Sequence, residues 1–212
     1  MRHAESSITF AELLTTVGVE ETSVLRSSRL GFMAYHGGEL EKGTDIVARE
    51  AAERSGASYY GVTQSLDPIH HIASIRIDPA ESPALTAFLD HVDAVITIHG
   101  YGLETEWKSL LLGGRNRELA THVAERLRPA LPDYLMVDDV DDIPKRLRGQ
   151  HSKNPVNLPR QHGLQIELPP TIRWNSASHN WSDHGDAGRA PDTDTLIREL
   201  ASAASDWIGR AR

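Results

Sequence analysis

Apolar residues in this chain fall into short runs that alternate with stretches of helical period. The runs at residues 30–35 and 94–98 are almost wholly apolar, which is typical of strands buried on both faces of a parallel sheet. Shorter segments with strand character lie at residues 58–62, 71–77, 134–137 and 164–168. Buried strands of this kind form the centre of α/β proteins.

Helices are predicted between these runs, where apolar residues recur every three or four positions. After the first run, Thr44 is the expected N-cap of a helix and Gly56 its expected C-terminal stop. The other predicted helices cover residues 10–17, 82–92, 118–128 and 193–210. Strands alternating with helices predict an α/β fold of three layers, α/β/α, around a mixed, mostly parallel central sheet.

The length of 212 residues suits one compact domain, so we expect residues 1–212 to fold as a single unit. The polar stretch at residues 174–192 is predicted to be a mobile loop between the last strand and the last helix. Two interpretations of this loop are open: a lid over a cleft, or a disordered connector.

Composition argues against nucleic acids and membranes as binding partners. Acidic residues outnumber lysine plus arginine by 30 to 22, a formal charge of −8, whereas a general nucleic-acid binder carries the opposite excess. No apolar run approaches the roughly 20 residues that cross a bilayer, and the first residues lack the apolar stretch of an export signal. We therefore expect a protein that is cytoplasmic as synthesised and has neither nucleic-acid nor membrane partners. The sequence does not indicate an oligomeric state.

One segment departs from the acidic average. Residues 143–166 contain no Asp or Glu, and their basic residues are Lys145, Arg146, Arg148, Lys153 and Arg160. Two interpretations are open: a solvated loop that balances the acidic residues before it, or a pocket for an anionic substrate, because arginine pairs well with carboxylates.

Histidine directly follows both of the buried runs, as His36 and His99. The carboxyl ends of parallel strands are where α/β sheets gather ligands and catalytic groups. The chain has no cysteine, so any metal ion must be held by histidine and carboxylate. Two histidines and one carboxylate are the ligand set of a catalytic zinc ion. Spacing leaves open whether Glu39 or Glu41 supplies the carboxylate.

A second carboxylate lies on a later strand. Glu167 shares one face of that strand with Gln165, whereas the apolar residues at 164, 166 and 168 point the other way. We expect Glu167 to reach the same edge of the sheet as the histidines. A glutamate beside a zinc ion can act as general base towards the attacking water.

The sequence resembles the poly-gamma-glutamate hydrolase family, and the resemblance covers about residues 31–173. It rests on the motifs HGGELEKGT at 36–44, IHG at 98–100, GGR at 113–115, and NPVN at 154–157 leading to GLQIEL at 163–168. The resemblance implies a single catalytic domain with a zinc-carboxypeptidase-like fold. It further implies that His36, Glu41 and His99 bind one zinc ion and that Glu167 is the general base.

The resemblance also implies hydrolysis of γ-glutamyl amide bonds in poly-γ-glutamate or a related anionic substrate. From their positions in the motifs, we expect Arg115 and Arg160 to hold a substrate carboxylate or the oxyanion, with Asn157 beside them. A purely structural role for Arg115 at a helix start stays open. Asn154 and Gln165 are further candidates for substrate binding.

Two other functions are open at this stage. The first is an N-acyl amino-acid deacylase of the same carboxypeptidase-like group, acting on a small acyl-amide substrate. The second is a non-catalytic α/β binding domain. Two features argue against a long extracellular polyanion as the substrate. The net charge of −8 would repel such a polymer, and the sequence shows no export signal that would bring the protein to it.

Overall fold

Seven strands form the central sheet of the computed structural model, which describes residues 5–210. The strands are β1 (Val19–Val24), β2 (Leu30–Gly38), β3 (Ser58–Gln64), β4 (Ala94–Gly100), β5 (Ser109–Gly113), β6 (Leu135–Val137) and β7 (Gly163–Leu168). Their order across the sheet is β1-β3-β2-β4-β7-β5-β6. Strands β3, β2, β4 and β7 run parallel, whereas β1, β5 and β6 run in the opposite direction. The predicted mixed, mostly parallel sheet is confirmed.

Helices cover both faces of this sheet. They are α1 (Phe10–Leu14), α2 (Thr44–Ser55), α3 (Pro83–His91), α4 (Arg117–Ala130), α5 (Pro170–Arg173) and α6 (Pro191–Arg210). Apolar side chains of α2, α4 and α6 pack on one face, and those of α1 and α3 pack on the other. The three-layer α/β/α architecture expected from the sequence is therefore present.

Side chains alternate along β4 and β7 between the apolar core and the opposite face of the sheet. Ile98 on β4 and Ile166 on β7 belong to the core packed against α2, α4 and α6. His99 and Glu167, the next residue on each strand, are register partners and point to the opposite face. The two side chains are thus neighbours at the carboxyl end of adjacent parallel strands.

An irregularity in β2 brings two consecutive side chains to that same edge. The pairing of β2 with β3 shifts register between Ala34 and Gly37. The rings of Tyr35 and His36 lie in this bulge, with their centroids 5.0 Å apart. A bulge re-aims side chains that regular alternation would send to opposite faces. Both rings consequently approach His99, with centroid separations of 4.9 Å from Tyr35 and 5.0 Å from His36.

Some predicted helix boundaries need correction. Gly56 ends α2 in a left-handed conformation with φ of 74°, as predicted. Thr44, however, is the first residue of α2, and Gly43 is the N-cap. The Thr44 hydroxyl instead donates to the Glu41 carbonyl at 2.7 Å. The first helix stops at Leu14 rather than at residue 17.

The strand predictions contain one error, and they miss two strands of the central sheet. Residues 71–77 form no strand in the structure, and a 3₁₀ turn covers Ser74–Arg76. Their apolar alternation has another cause: Ile72 and Ile77 are buried in the cluster beneath α1 and α3. The sequence analysis missed β1, a largely polar edge strand, and β5, a run of leucines without the β-branched residues that mark strands.

The segment at 174–192 was expected to be a mobile loop, but it contains a short hairpin and the start of α6. The hairpin pairs β8 (Trp174–Asn175) with β9 (Asn180–Trp181). After the hairpin, Arg189 forms ion pairs with Glu50 on α2 and with Asp183. These contacts attach the segment to α2, and its role as a lid over a cleft stays a prediction.

Within residues 5–210, no helix combines the length and apolar character needed to cross a membrane. The first four residues, on which part of the argument against an export signal rests, lie outside the described part of the chain.

Candidate metal and active site

Three predicted metal ligands converge at the carboxyl end of the parallel strands. His36 comes from the bulge in β2, His99 from the end of β4, and Glu41 from the loop before α2. Glu41 Oε1 lies 3.1 Å from His36 Nδ1, and Glu41 Oε2 lies 3.3 Å from His99 Nδ1. One donor atom from each residue can be chosen so that all three lie within 4.8 Å of one another. The three side chains could therefore share one metal ion.

The outward nitrogens of both histidines have hydrogen-bond partners. His36 Nε2 donates to the Ile72 carbonyl at 2.9 Å, and His99 Nε2 lies 3.0 Å from the Tyr35 hydroxyl. The Tyr35 hydroxyl donates its single hydrogen to Asn154 Oδ1 at 3.1 Å, so it accepts from His99 Nε2. In the neutral form of each imidazole, Nδ1 then faces Glu41 with a lone pair that could bind a metal ion.

This arrangement fits a tetrahedral metal ion. Ligand atoms about 2.0 Å from such an ion are about 3.3 Å apart. One ligand atom from each of the three residues lies within 4.8 Å of the others, so a small inward movement would bring them to that spacing. Metal-bound histidines also characteristically donate their other ring N–H to a carbonyl or polar side chain. His36 and His99 both do so. The donor atoms and their partners thus both match a metal centre.

Electrostatics at the cluster favour an ionised carboxylate. Burial opposes ionisation of Glu41, but His36 and His99 outweigh it and hold the pKa of Glu41 far below its usual range. Burial likewise opposes protonation of His36, yet the Glu41 carboxylate raises the pKa of His36 above its usual value. Without a metal ion, the ionised Glu41 is thus paired with a His36 that holds its proton more tightly than usual, and metal binding would release that proton.

The carboxylate of Glu167 has the opposite tendency. Its side chain is only 5% exposed, and burial raises its pKa to about 7, with a smaller contribution from the Glu41 charge and against the opposing effect of His99. A carboxyl group with a pKa near 7 exchanges its proton readily at neutral pH. Glu167 can therefore both accept and return a proton beside the cluster.

A chain of hydrogen bonds joins Glu167 to His99. Gln165 Nε2 donates to Glu167 Oε1 at 2.9 Å, and Asn154 Nδ2 donates to Gln165 Oε1 at 2.9 Å. Asn154 Oδ1 accepts from Tyr35, which accepts from His99. The amides of Asn154 and Gln165, expected to bind substrate, thus bond to one another and support Glu167 and His99.

A cavity of about 840 Å³ opens over these groups. Its lining includes His36, Glu41, His99 and Glu167 on one side. The other side is formed by the basic segment, including Lys145, Arg146, Arg148 and His151. Part of the basic segment therefore lies at the cluster, as the interpretation of this segment as a pocket expected.

Other predicted residues lie elsewhere. Arg160 is exposed and pairs with Asp93, which precedes the amino end of β4, about 20 Å along the strand from His99. Arg115 has an exposed side chain and lies near Gly163, at the amino end of β7. Neither Arg115 nor Arg160 is among the residues that line the cavity over the cluster, so the structure does not bring their side chains together with it.

Asn157 and Glu39 have structural contacts away from the cluster. Asn157 Oδ1 accepts from the Arg115 backbone N–H at 3.0 Å, and Asn157 Nδ2 donates to the carbonyls of Gly149 and His151. It therefore shapes the loop that borders the cavity. Glu39 pairs with Lys42 at 2.8 Å. Of the two glutamates that spacing could not separate, Glu41 is the one in the cluster.

Sequence analysis missed two residues that border the cluster. Tyr35 was treated as part of an apolar run, although its position directly before His36 was a signal once a bulge is considered. Arg173 is 5% exposed, six residues after Glu167, and its charge acts on both Glu41 and Glu167. Burial lowers the pKa of Arg173 to about 10, which leaves it protonated at neutral pH. Arg173 follows the two prolines that come after β7, and nothing in the surrounding sequence predicts that its charged side chain is buried.

Comparison with known proteins identifies the family. The family model described as poly-gamma-glutamate hydrolase matches residues 11–186. This chain belongs to the poly-gamma-glutamate hydrolase family. The match covers His36, Glu41, His99, Glu167 and Arg173.

A curated relative of this chain is a prophage-derived protein, YoqZ, of Bacillus subtilis (strain 168), which is 32% identical over 142 residues. The match covers 66% of this chain and 48% of YoqZ. The chain thus spans about half the length of that curated relative.

Solved structures confirm the fold of this chain. A bacteriophage poly-gamma-glutamate hydrolase superposes with a TM-score of 0.78 at 20% identity, covering 94% of this chain and 95% of the other. YndL in a zinc-free form gives a TM-score of 0.72 at 20% identity, with coverage of 88% and 89%. A metallo-carboxypeptidase from Burkholderia cenocepacia gives 0.51 at 11% identity, with coverage of 94% and 67%. The carboxypeptidase-like fold expected from the sequence is confirmed.

Proposed function

We propose that this protein is a zinc-dependent hydrolase of γ-glutamyl amide bonds, with poly-γ-glutamate or a related γ-glutamyl compound as substrate. The observation that carries the proposal is the placement of Glu167, a buried carboxyl group, beside the His36–Glu41–His99 cluster in one cavity. Family membership supports the same class of substrate.

The roles of the residues follow from their surroundings. His36, Glu41 and His99 would hold one zinc ion, which supplies Lewis acidity and makes water a competent nucleophile near pH 7. Glu167 takes a proton from the water that attacks the amide carbonyl. Glu167 then returns this proton to the amide nitrogen as the carbon–nitrogen bond breaks, so the products are a carboxylic acid and an amine. Gln165 and Asn154 keep the Glu167 carboxylate in place throughout.

The basic side of the cavity supports an anionic substrate. Each γ-linked glutamate keeps a free α-carboxylate next to the amide bond. Within the described residues, Lys145 and Arg146 border the cavity and have no acidic partner among the ion pairs, whereas Arg148 pairs with Asp141. Lys145 and Arg146 therefore offer positive charge for these carboxylates.

The proposal is tested by comparing substrates with the zinc-loaded protein. We expect γ-glutamyl oligomers to be cut with a higher kcat/KM than N-acetyl and N-formyl amino acids, measured as amine released over time. The double variant Lys145→Gln/Arg146→Gln should raise KM for the oligomers about 10-fold, since two charge-assisted contacts are lost.

A control with the same change in net charge is Arg126→Gln/Arg128→Gln on α4, where both arginines pair with acidic residues outside the cavity. This control should keep KM within about twofold of wild type. Faster turnover of N-acyl amino acids than of γ-glutamyl oligomers would instead favour the deacylase function.

A further inference from the structure

Arg173 connects two loops that carry metal-binding residues. Arg173 Nη1 donates to the Lys42 carbonyl at 2.9 Å, and Nη2 lies 3.4 Å from the Tyr101 carbonyl. Lys42 follows Glu41 directly, and Tyr101 comes two residues after His99. A single guanidinium therefore reaches the backbone beside two of the three residues of the cluster.

The backbone at Gly100 leaves the space that this guanidinium occupies. A Cβ atom at Gly100 would lie 2.7 Å from Arg173 Cζ and 2.8 Å from both Nη atoms. The Gly100 backbone N–H also donates to Glu41 Oε2 at 2.9 Å. Glu41 is thus held on the end of β4 from one side by Gly100, while Arg173 packs against Gly100 from the other.

The position of Arg173 is costly for a residue that serves stability alone. Its side chain is buried under the ring of Trp181, 5.0 Å from Cζ, and its charge is removed from water. Within the described residues, Arg173 Nε has no hydrogen-bond acceptor. Desolvating a guanidinium and leaving one donor unused opposes folding, so a compensating role is expected.

We propose that Arg173 is a positioning residue of the metal centre: by bridging Lys42 and Tyr101 it sets the separation of Glu41 from His99. This inference rests on the proposed function, since it presupposes that the cluster binds zinc. Residues that orient metal ligands characteristically change metal affinity 10- to 100-fold when replaced.

The test measures zinc affinity by competition with a chromophoric chelator, together with the Tm of the metal-free proteins. We expect Arg173→Met to weaken zinc binding about 10- to 100-fold. Arg173→Lys keeps the charge but can reach only one of the two carbonyls, so its affinity should fall between wild type and Arg173→Met. This conservative variant also covers the case in which Arg173→Met does not fold.

Arg117 is the matched control, because it too is partly buried and donates to backbone carbonyls, including those of Leu112 and Gly113. Those contacts join the end of β5 to the start of α4, and none of them is to a segment that carries His36, Glu41 or His99. Arg117→Met should lower Tm but leave the zinc Kd within about twofold of wild type.

The outcomes separate the two claims. Wild-type protein that binds no zinc overturns the proposed function and this inference with it. Zinc binding in wild type, combined with a Kd within twofold for both Arg173 variants that fold, overturns the positioning role alone. A lowered Tm with unchanged zinc affinity would make Arg173 a purely structural residue like Arg117.

Discussion

Glu167→Gln is expected to lower kcat for γ-glutamyl hydrolysis by about 10²- to 10⁴-fold, the range that general acid–base catalysis contributes. An amide of the same shape cannot take a proton from water or return it to the leaving nitrogen. The zinc content should stay at the wild-type value, because Glu167 lies beside the His36–Glu41–His99 cluster rather than within it. Rates and bound zinc are measured on the same preparation.

Two further observations make this prediction specific. Glu21→Gln removes a carboxylate on β1 that accepts from Tyr60, far from the cluster, and should leave kcat within about twofold. Metal-free Glu167→Gln should also gain stability relative to wild type as pH rises from about 4.5 to about 7. Over that range the carboxyl group ionises in the unfolded wild-type chain but stays protonated in the folded one, because its folded pKa is raised, and wild type alone loses stability. Full activity in Glu167→Gln would remove this residue from the mechanism.

His99→Ala is expected to remove both zinc and activity. The substitution leaves His36 and Glu41 as the remaining pair of the cluster, and it deprives the Tyr35 hydroxyl of its donor. We expect bound zinc to fall well below one per chain and the rate to fall at least about 100-fold, because Lewis-acid stabilisation is worth several kcal/mol. Elemental mass spectrometry of untagged protein measures the zinc.

His122→Ala is the control for this variant. His122 is also buried, but on α4, where its Nε2 donates to the Ala203 carbonyl at 2.9 Å. Its loss should lower stability and leave the zinc content unchanged. Equal zinc in wild type and His99→Ala would contradict the assignment of His99 as a ligand.

Much of the fold could be predicted because the buried strands carry a strong periodic signal. The runs that became β2 and β4 are continuous and apolar, and the alternation along β7 correctly put Glu167 opposite Ile166. The strands missed were those whose identity depends on tertiary contacts. β1 is held by pairing with β3, and residues 71–77 alternate because two isoleucines fill a core cluster.

The site was only partly predictable, for a similar reason. Motif positions brought together His36, Glu41, His99 and Glu167, each near the end of its own strand or loop. Motif position misled for Arg160, because chain distance does not show which edge of a sheet a loop returns to. The burial of Arg173 could not be predicted, because its guanidinium packs between Gly100 and Trp181, which come together only in the folded chain.

The most direct test of the account is the rate at which the protein cuts poly-γ-glutamate before and after zinc is restored. The wild-type chain is stripped with a chelator, dialysed, and assayed for newly formed amino groups with zinc added in increments. The account predicts negligible cleavage without metal and a rate that rises to a plateau at one zinc per chain. No cleavage at any zinc concentration, or a rate that chelation does not change, would contradict it.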